Sequence, residues 1–436
     1  MPAIRGRIGS SVVLAIACLF AGCTESALPT SSLVPASTAV EPTPTVASPA
    51  PTNGTPAPTR QPSDSPSSPE EGWLNVAQAP DAYARWSPDA AHLLIAMSTP
   101  GGPPESNVVR LVSSGGSTVR DYEAVTDPVW IDGDRFVAYR LEWQQDESGT
   151  WFAATGPNGE RHATALVGAT SSDTLTESDL PTEPALGNGH GALALERFDG
   201  ASRTEFAIWD SDGLTEWRLG QPMRWSASGD RLAVVHSSDS GPTAEGWLEV
   251  VEWPGLSTLR SSDPALRVAD AQFDPSGRLL AYAEYVERPT APRQLLEFDL
   301  IVRIVSLDGN ETAALTAPEN GEFVWLSGDR LLVVGYDSHL ASELDLRGAV
   351  LGQESVVGPN VIASADGSTS LFYDAELDQP PIQVMRGGDL RLLQSPGMLA
   401  GPPPVLAPDG SGLLVVVRLP SSAPQGPPAT VLFHGL

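Results

Sequence analysis

From residue 72 to residue 436 the apolar residues come in short runs, each bracketed by turns rich in Gly, Asp, Ser and Pro. Runs such as residues 135–139 (Arg-Phe-Val-Ala-Tyr), 231–235 (Arg-Leu-Ala-Val-Val), 278–282 (Arg-Leu-Leu-Ala-Tyr), 330–334 (Arg-Leu-Leu-Val-Val) and 413–417 (Leu-Leu-Val-Val-Val) are nearly continuous and dominated by branched and aromatic side chains. That pattern predicts short strands buried on both faces, not amphipathic helices. Ahead of each run stands an anchor and a polar turn. The series reads Trp86-Ser87-Pro88-Asp89, Trp130-Ile131-Asp132-Gly133-Asp134, Leu186-Gly187-Asn188-Gly189, Trp225-Ser226-Ala227-Ser228-Gly229, Phe273-Asp274-Pro275-Ser276-Gly277, Trp325-Leu326-Ser327-Gly328-Asp329, Ala363-Ser364-Ala365-Asp366-Gly367 and Leu406-Ala407-Pro408-Asp409-Gly410. Asp-Gly, Ser-Gly and Pro-Asp pairs between apolar runs mark hairpins, because Gly tolerates positive φ and Pro presets the first corner.

After each run a further strand ends in its own turn: Gly115-Gly116, Asn158-Gly159, Asp212-Gly213, Pro254-Gly255, Asp308-Gly309, Arg347-Gly348, Gly387-Gly388 and His434-Gly435. Fourth strands follow, for example over residues 214–219, 256–260 and 311–315. Eight anchors at about 45 residues apiece match four-stranded propeller blades. The eighth unit lacks a fourth strand, and residues 72–78 (Gly-Trp-Leu-Asn-Val-Ala-Gln) can supply it. The expectation is an all-β propeller of eight four-stranded blades, closed by pairing of the N-terminal strand with the last blade. The unit around Leu186 fits the repeat worst, and without it the count is seven.

The anchors and turns resemble the TolB-like, WD40-like (PD40) repeats of bacterial envelope propellers, whose unit begins Trp-Ser-Pro-Asp-Gly. Residues 84–97 fit best, although Ala90 stands where Gly is usual; residues 222–236, 270–285 and 404–417 fit in part. The resemblance implies a fold and leaves the task open, since this scaffold hosts many.

Before the repeats come two further segments. Residues 1–22 carry Arg5 and Arg7, then an apolar stretch from Ile8 to Ala21 that is short for a membrane span and reads as a secretory signal. Leu19-Phe20-Ala21-Gly22-Cys23 resembles the lipobox of bacterial lipoproteins, with Phe20 where Leu is commonest; Cys18, after Ala15-Ile16-Ala17, fits less well. The resemblance implies cleavage between Gly22 and Cys23, lipid attachment at Cys23, and a place on the extracytoplasmic side of a cell membrane or envelope. Residues 23–70 follow as a tether. Within 24–70 lie 11 Pro and 17 Ser or Thr with few large apolar side chains, a composition that cannot offset the entropy of ordering and favours an extended spacer. The third segment, residues 71–436, is the propeller domain.

Composition narrows the chemistry. The formal net charge is −29 and every one of the 25 basic residues is Arg. Such an acidic surface argues against a nucleic-acid partner and suits solubility or a cationic one. With only Cys18 and Cys23, the repeat region has no disulfide, thiolate metal site or cysteine nucleophile. The histidines, His92, His162, His190, His236, His339 and His434, show no metal-type spacing and read as surface or turn residues. Neither a Gly-x-Ser-x-Gly elbow nor a P-loop is present, and no cofactor is expected. Residues 429–435 (Ala-Thr-Val-Leu-Phe-His-Gly) resemble the His-Gly strand end of prolyl-oligopeptidase-like hydrolase domains, but they also fall where the eighth blade needs its third strand. Trp86, Trp130, Trp225 and Trp325 share one repeat position and read as inter-blade packing; Trp209, Trp217, Trp247 and Trp253 read as outer-strand packing, with an aromatic binding rim as the alternative. The function expected is a membrane-anchored, non-enzymatic binding or scaffolding module for a protein, glycan or small ligand. The alternative is an extracytoplasmic enzyme, glycan-active or peptidase-related, with its site in the central channel.

Overall fold

The computed structural model describes residues 72–155, 162–181, 184–198, 204–237, 246–261, 268–288, 297–307, 311–316, 321–327, 329–377, 380–400, 402–418 and 429–436. It is an eight-bladed β-propeller, and its blades run in chain order. Blade 1 is Asp81–Trp86, His92–Ser98, Val108–Ser113 and Thr118–Glu123; blade 2 is Thr126–Trp130, Arg135–Leu141, Ala163–Ala169 and Thr176–Ser178. Blade 3 is Pro184–Gly187, Leu193–Phe198 and Thr204–Asp210, with a split outer strand at Gly213–Leu214 and Arg218–Leu219. Blade 4 is Gln221–Trp225, Arg231–Ser237, Gly246–Glu252 and Ser257–Ser261; blade 5 is Val268–Phe273, Leu279–Arg288, Glu297–Ser306 and Glu311–Thr316. Blade 6 is Gly321–Leu326, Arg330–Gly335, Leu340–Leu344 and Val350–Ser355; blade 7 is Asn360–Ala363, Thr369–Tyr373, Pro381–Arg386 and Asp389–Gln394. Blade 8 has a broken inner strand (Met398–Leu399 and Val405–Leu406), then Gly412–Arg418, Ala429–Gly435 and, as its outermost strand, Trp73–Ala79.

The ring therefore closes on its own chain ends. Trp73 lies opposite His434 and Ala79 opposite Ala429, with one bulge near Val76. The indole of Trp73 meets the His434 ring edge-on at 5.0 Å. His434 is thus a residue of the eighth blade's third strand.

Burial explains the apolar runs. They are the second strands, flanked by strands on both edges and by blades on both faces; Leu93, Leu94, Phe136, Val137, Leu331 and Leu413 are wholly buried. The core lies between blades, not within them. One cluster joins Trp86, Leu93 and Ile95 of blade 1 to Leu414, Val416 and Phe433 of blade 8. The next joins Leu94 and Val109 to Trp130 and Phe136.

Two details of the repeat differ from the sequence expectation. The unit around Leu186 is a full blade, but its anchor position is Gly187, which pairs with Leu193 as Trp86 pairs with Leu93. Only glycine fits there, since a Cβ at Gly187 would lie 1.9 Å from the Trp130 carbonyl oxygen. In blade 2, Asn158-Gly159 does not end the third strand, which comes later, at Ala163–Ala169. The chain first makes an extra hairpin, Trp143–Gln145 with Trp151–Ala153, and Asn158-Gly159 lies outside the described residues. The segments before residue 72, with Cys18, Gly22 and Cys23, also lie outside them.

Candidate functional site: the loop face and channel wall

Antiparallel succession gives the ring two distinct faces. One carries the turns between first and second strands and between third and fourth. These turns adjoin: the Ser114 amide donates to the Ala91 carbonyl, and the Leu436 amide to that of Ser411. The other face, the loop face, carries the longer connections between second and third strands and the openings of the inner strands.

On the turn face, the repeated acids are occupied by their own backbone. Asp274 is buried and accepts from the Leu279 amide (2.6 Å), the Ser276 amide (3.1 Å) and the Ser276 hydroxyl. Asp89, Asp132 and Asp409 accept backbone amides in the same way, and Asn188 does so in blade 3. Burial pushes the Asp366 carboxyl up, but the Ser364 hydroxyl and the Ser368 amide outweigh it and hold Asp366 below the usual carboxylate range. Adjacent turns are also tied together, by Asn188 Nδ2 to the Gly229 carbonyl (3.0 Å) and by the Ser327 amide to that of Gly367 (2.9 Å). Part of the acidity of the sequence is thus structural.

The inner strands face a different problem. Each has one edge with no partner strand, and unpaired backbone groups away from water are costly. Neighbouring blades satisfy several. The anchor indoles donate backward to the preceding blade: Trp86 Nε1 to Val405 (3.4 Å), Trp130 Nε1 to Arg85 (3.2 Å), Trp225 Nε1 to Leu186 (3.3 Å) and Trp325 Nε1 to Gln272 (2.9 Å), each on a carbonyl oxygen. Packing between blades was the sequence reading for these four tryptophans, and the bonds give it a polar reason.

Other side chains reach forward. Gln272 Nε2 donates to the Phe323 carbonyl of blade 6 (2.9 Å) and to Asp270 Oδ2 (2.8 Å). Glu322 Oε2 accepts the Val361 amide of blade 7 (2.9 Å). Burial pushes the Glu322 carboxyl up to about 7; the Val361 amide opposes the rise, and the negative charge of Asp270 adds to it. Burial and the Glu322 charge also push the Tyr373 phenol up. The wall between blades 5, 6 and 7 thus holds a pair of interacting carboxyls, one of which changes charge near neutral pH. Perturbed groups of this kind gather at functional sites.

The histidines scatter, as the sequence indicated, but two are not surface residues. His236 is buried in blade 4, where Nε2 lies 2.7 Å from Glu249 Oε2 and the ring stacks on Trp247 at 4.5 Å. The His236 hydrogen bond, with Thr258 and Arg218, holds the Glu249 carboxyl low against its burial. His434 is buried beneath Gly72 in the closing seam, and burial depresses its pKa. No group of three His, Cys, Asp or Glu suited to a metal occurs among the described residues. Trp209 and Trp217 pack against the core cluster between blades 2 and 3, and Trp253 against that between blades 3 and 4. Trp247 is the exposed member of that set and the other three are half-buried, in keeping with outer-strand packing.

A second aromatic surface on the loop face, in addition to the exposed Trp247 of blade 4, is the blade 2 hairpin. Trp143, Trp151 and Phe152 lie on it, and Phe152 is 45% exposed. Asp146 folds its tip by accepting the Ser148 and Thr150 amides (2.8 and 2.9 Å). Its base is pinned by Ala154 to Glu142 (2.7 Å), Glu142 to His162 (2.8 Å) and His162 to Ala154 (2.9 Å), all backbone bonds. The sequence signal was present in the close spacing of Trp143, Trp151 and Phe152 around Asp-Glu-Ser-Gly, a turn outside the repeat.

No family model matches the chain, and no curated protein matches it. Solved structures are similar in fold. The β-propeller domain of the trilobed protease from Pyrococcus furiosus aligns over 71% of this chain and 92% of its own, at 10% identity and a TM-score of 0.43. An acylaminoacyl peptidase aligns over 71% and 51%, at 14% identity and 0.44. A Chaetomium thermophilum protein bound to the N-terminus of a ribosomal protein aligns over 83% and 99%, at 13% identity and 0.48. These likenesses concern the fold alone.

Proposed function

We propose that the chain is a lipid-anchored extracytoplasmic binding module, held through Cys23 and spaced by residues 24–70, that engages a protein or small ligand on the loop face of its propeller. The observation that carries this reading is the division between the two faces. The repeated turn-face acids are consumed in short, self-bonded turns, whereas the longer connections of the loop face present the exposed Phe152 ring and the exposed Glu147 carboxylate, at the usual place for recognition on a rigid scaffold. The leader and tether compositions support the anchoring half. A Cys23→Ser chain expressed with its leader should lose labelling by a fatty-acid probe and leave the membrane fraction; labelling that persists, or that follows Cys18, rejects the anchor.

A second reading rests on Glu322 and Asp270. A carboxyl poised near neutrality beside a second carboxyl in a channel wall is suited to general acid or base work, which would make the propeller an extracytoplasmic enzyme. Turnover of any glycan or peptide substrate that is abolished in Glu322→Gln would replace the binding reading with this one.

A further inference from the structure

We propose that the blade 2 hairpin is a docking element for an arginine- or lysine-rich segment of a partner protein. This rests on the binding reading above and names its surface and partner chemistry.

The hairpin stands outside the four-strand pattern of its blade, and among the described residues no further strands lie between the second and third strands of another blade. Blade closure does not need it. Its two short strands pair Trp143 with Ala153, Gln144 with Phe152 and Gln145 with Trp151. Trp143 and Trp151 therefore stand diagonally on one face and Phe152 on the other. None of the three rings has an aromatic or cation–π partner among the described residues. A two-stranded ribbon is marginal by itself. Here it is held by the backbone bonds at its base, by Gln145 Nε2 to the Gly149 carbonyl (2.9 Å), and by the Asp146 turn. The rings are thus presented ready-made, with little ordering left to be done on binding.

Charge selects the occupant. At the tip Asp146 is taken up by the turn and Glu147 is exposed, while Glu142 at the base lies 3.3 Å from His162 Nδ1; the 11 residues from Glu142 to Phe152 contain no basic side chain, which leaves Glu147 as the available acid. A carboxylate beside the exposed Phe152 ring and two half-buried indoles suits a guanidinium or ammonium group, which stacks on a ring and is steered by the acid. The chain uses this pairing internally: the Arg197 guanidinium lies 4.0 Å from the centroid of Trp217 while bonded to Glu205.

The test uses the full-length chain carrying Cys23→Ser and a fluorescein-labelled alternating Arg-Gly dodecapeptide, with the Glu-Gly counterpart as control, read by anisotropy at low and at physiological salt. The expected result is binding of the Arg peptide only, weakened about fivefold by Phe152→Ala and by Trp151→Ala. Glu147→Gln should weaken it mainly at low salt. Leu392→Ala, on the exposed outer strand of blade 7, should leave it unchanged. Melting curves for each variant separate loss of binding from loss of fold. Equal binding by the ring variants means that the net charge alone attracts the peptide, and the proposal fails while the binding-module reading stands. Binding of a neutral oligosaccharide in place of the Arg peptide also overturns it.

Discussion

On the turn face a carboxylate such as Asp274 is buried and closes a hairpin by accepting two amides and a hydroxyl; on the loop face Glu147 is exposed and has no partner among the described residues. The two residues add the same charge to the same acidic chain. What differs is whether the fold has already claimed the oxygens. Net charge therefore overstates the acidity available to a partner, and the relevant acids are those that the repeat does not use.

The largest effect should come from the seam that enters at the turn face. Deleting residues 72–79 removes the outermost strand of blade 8 and bares the edge of Ala429–Gly435, so the melting temperature should fall by roughly 10 °C or more, or the protein should aggregate. An unchanged melting curve would mean that the ring does not depend on this closure. Asp274→Ala should cost about 2–4 kcal/mol, because it strands two amides in a buried turn, while Glu147→Ala should stay within about 0.5 kcal/mol. Comparable losses from both in denaturant titrations would erase the distinction between the faces.

A smaller and pH-dependent effect belongs to the channel wall. Burial pushes the Glu322 carboxyl up to about 7 in the fold, against 4.5 for an ordinary glutamate. The folded state therefore holds the proton more tightly, and this contribution is complete below 4.5 and is lost as pH rises to about 7. Glu322→Gln keeps an acceptor for the Val361 amide without the charge. It should flatten stability across that window and stabilise the protein at pH 8 by about 1–3 kcal/mol. His434 has the opposite sign: its depressed pKa means that stability falls as pH drops below the unfolded value of 6.5. A Glu322→Gln variant that keeps the wild-type slope between 4.5 and 7 would show that another group dominates.

The blade count was legible because its marks are local. Each Asp-Gly or Ser-Gly turn and each second strand declares itself within about ten residues. Closure by Trp73–Ala79 was legible from the unit that lacked a fourth strand. What failed was also local. The hairpin around Asp146 offered an extra turn, so the boundary of the third strand in blade 2 was set too early, at Asn158-Gly159. The Leu186 anchor was misplaced by one residue because no large side chain marks Gly187. The channel wall could not be read at all. The state of Glu322 depends on Asp270 and Val361, which lie 52 residues before it and 39 after it, on other blades. His236 and Glu249 are 13 apart, and adjacent strands bring them together; a polar residue interrupting each of two apolar runs was the available signal.

The closing strand also decides how the ring carries force. All chain preceding residue 72 joins the propeller through Trp73–Ala79, so tension on an anchored N-terminus is borne first by that strand. The seven-residue seam against Ala429–Gly435 then acts as a mechanical fuse. Pulled along its length it loads its hydrogen bonds together and resists by shear; pulled sideways it opens from the Trp73–His434 pair one bond at a time. The other seven blades, each a continuous stretch of chain, are shielded until the seam gives way.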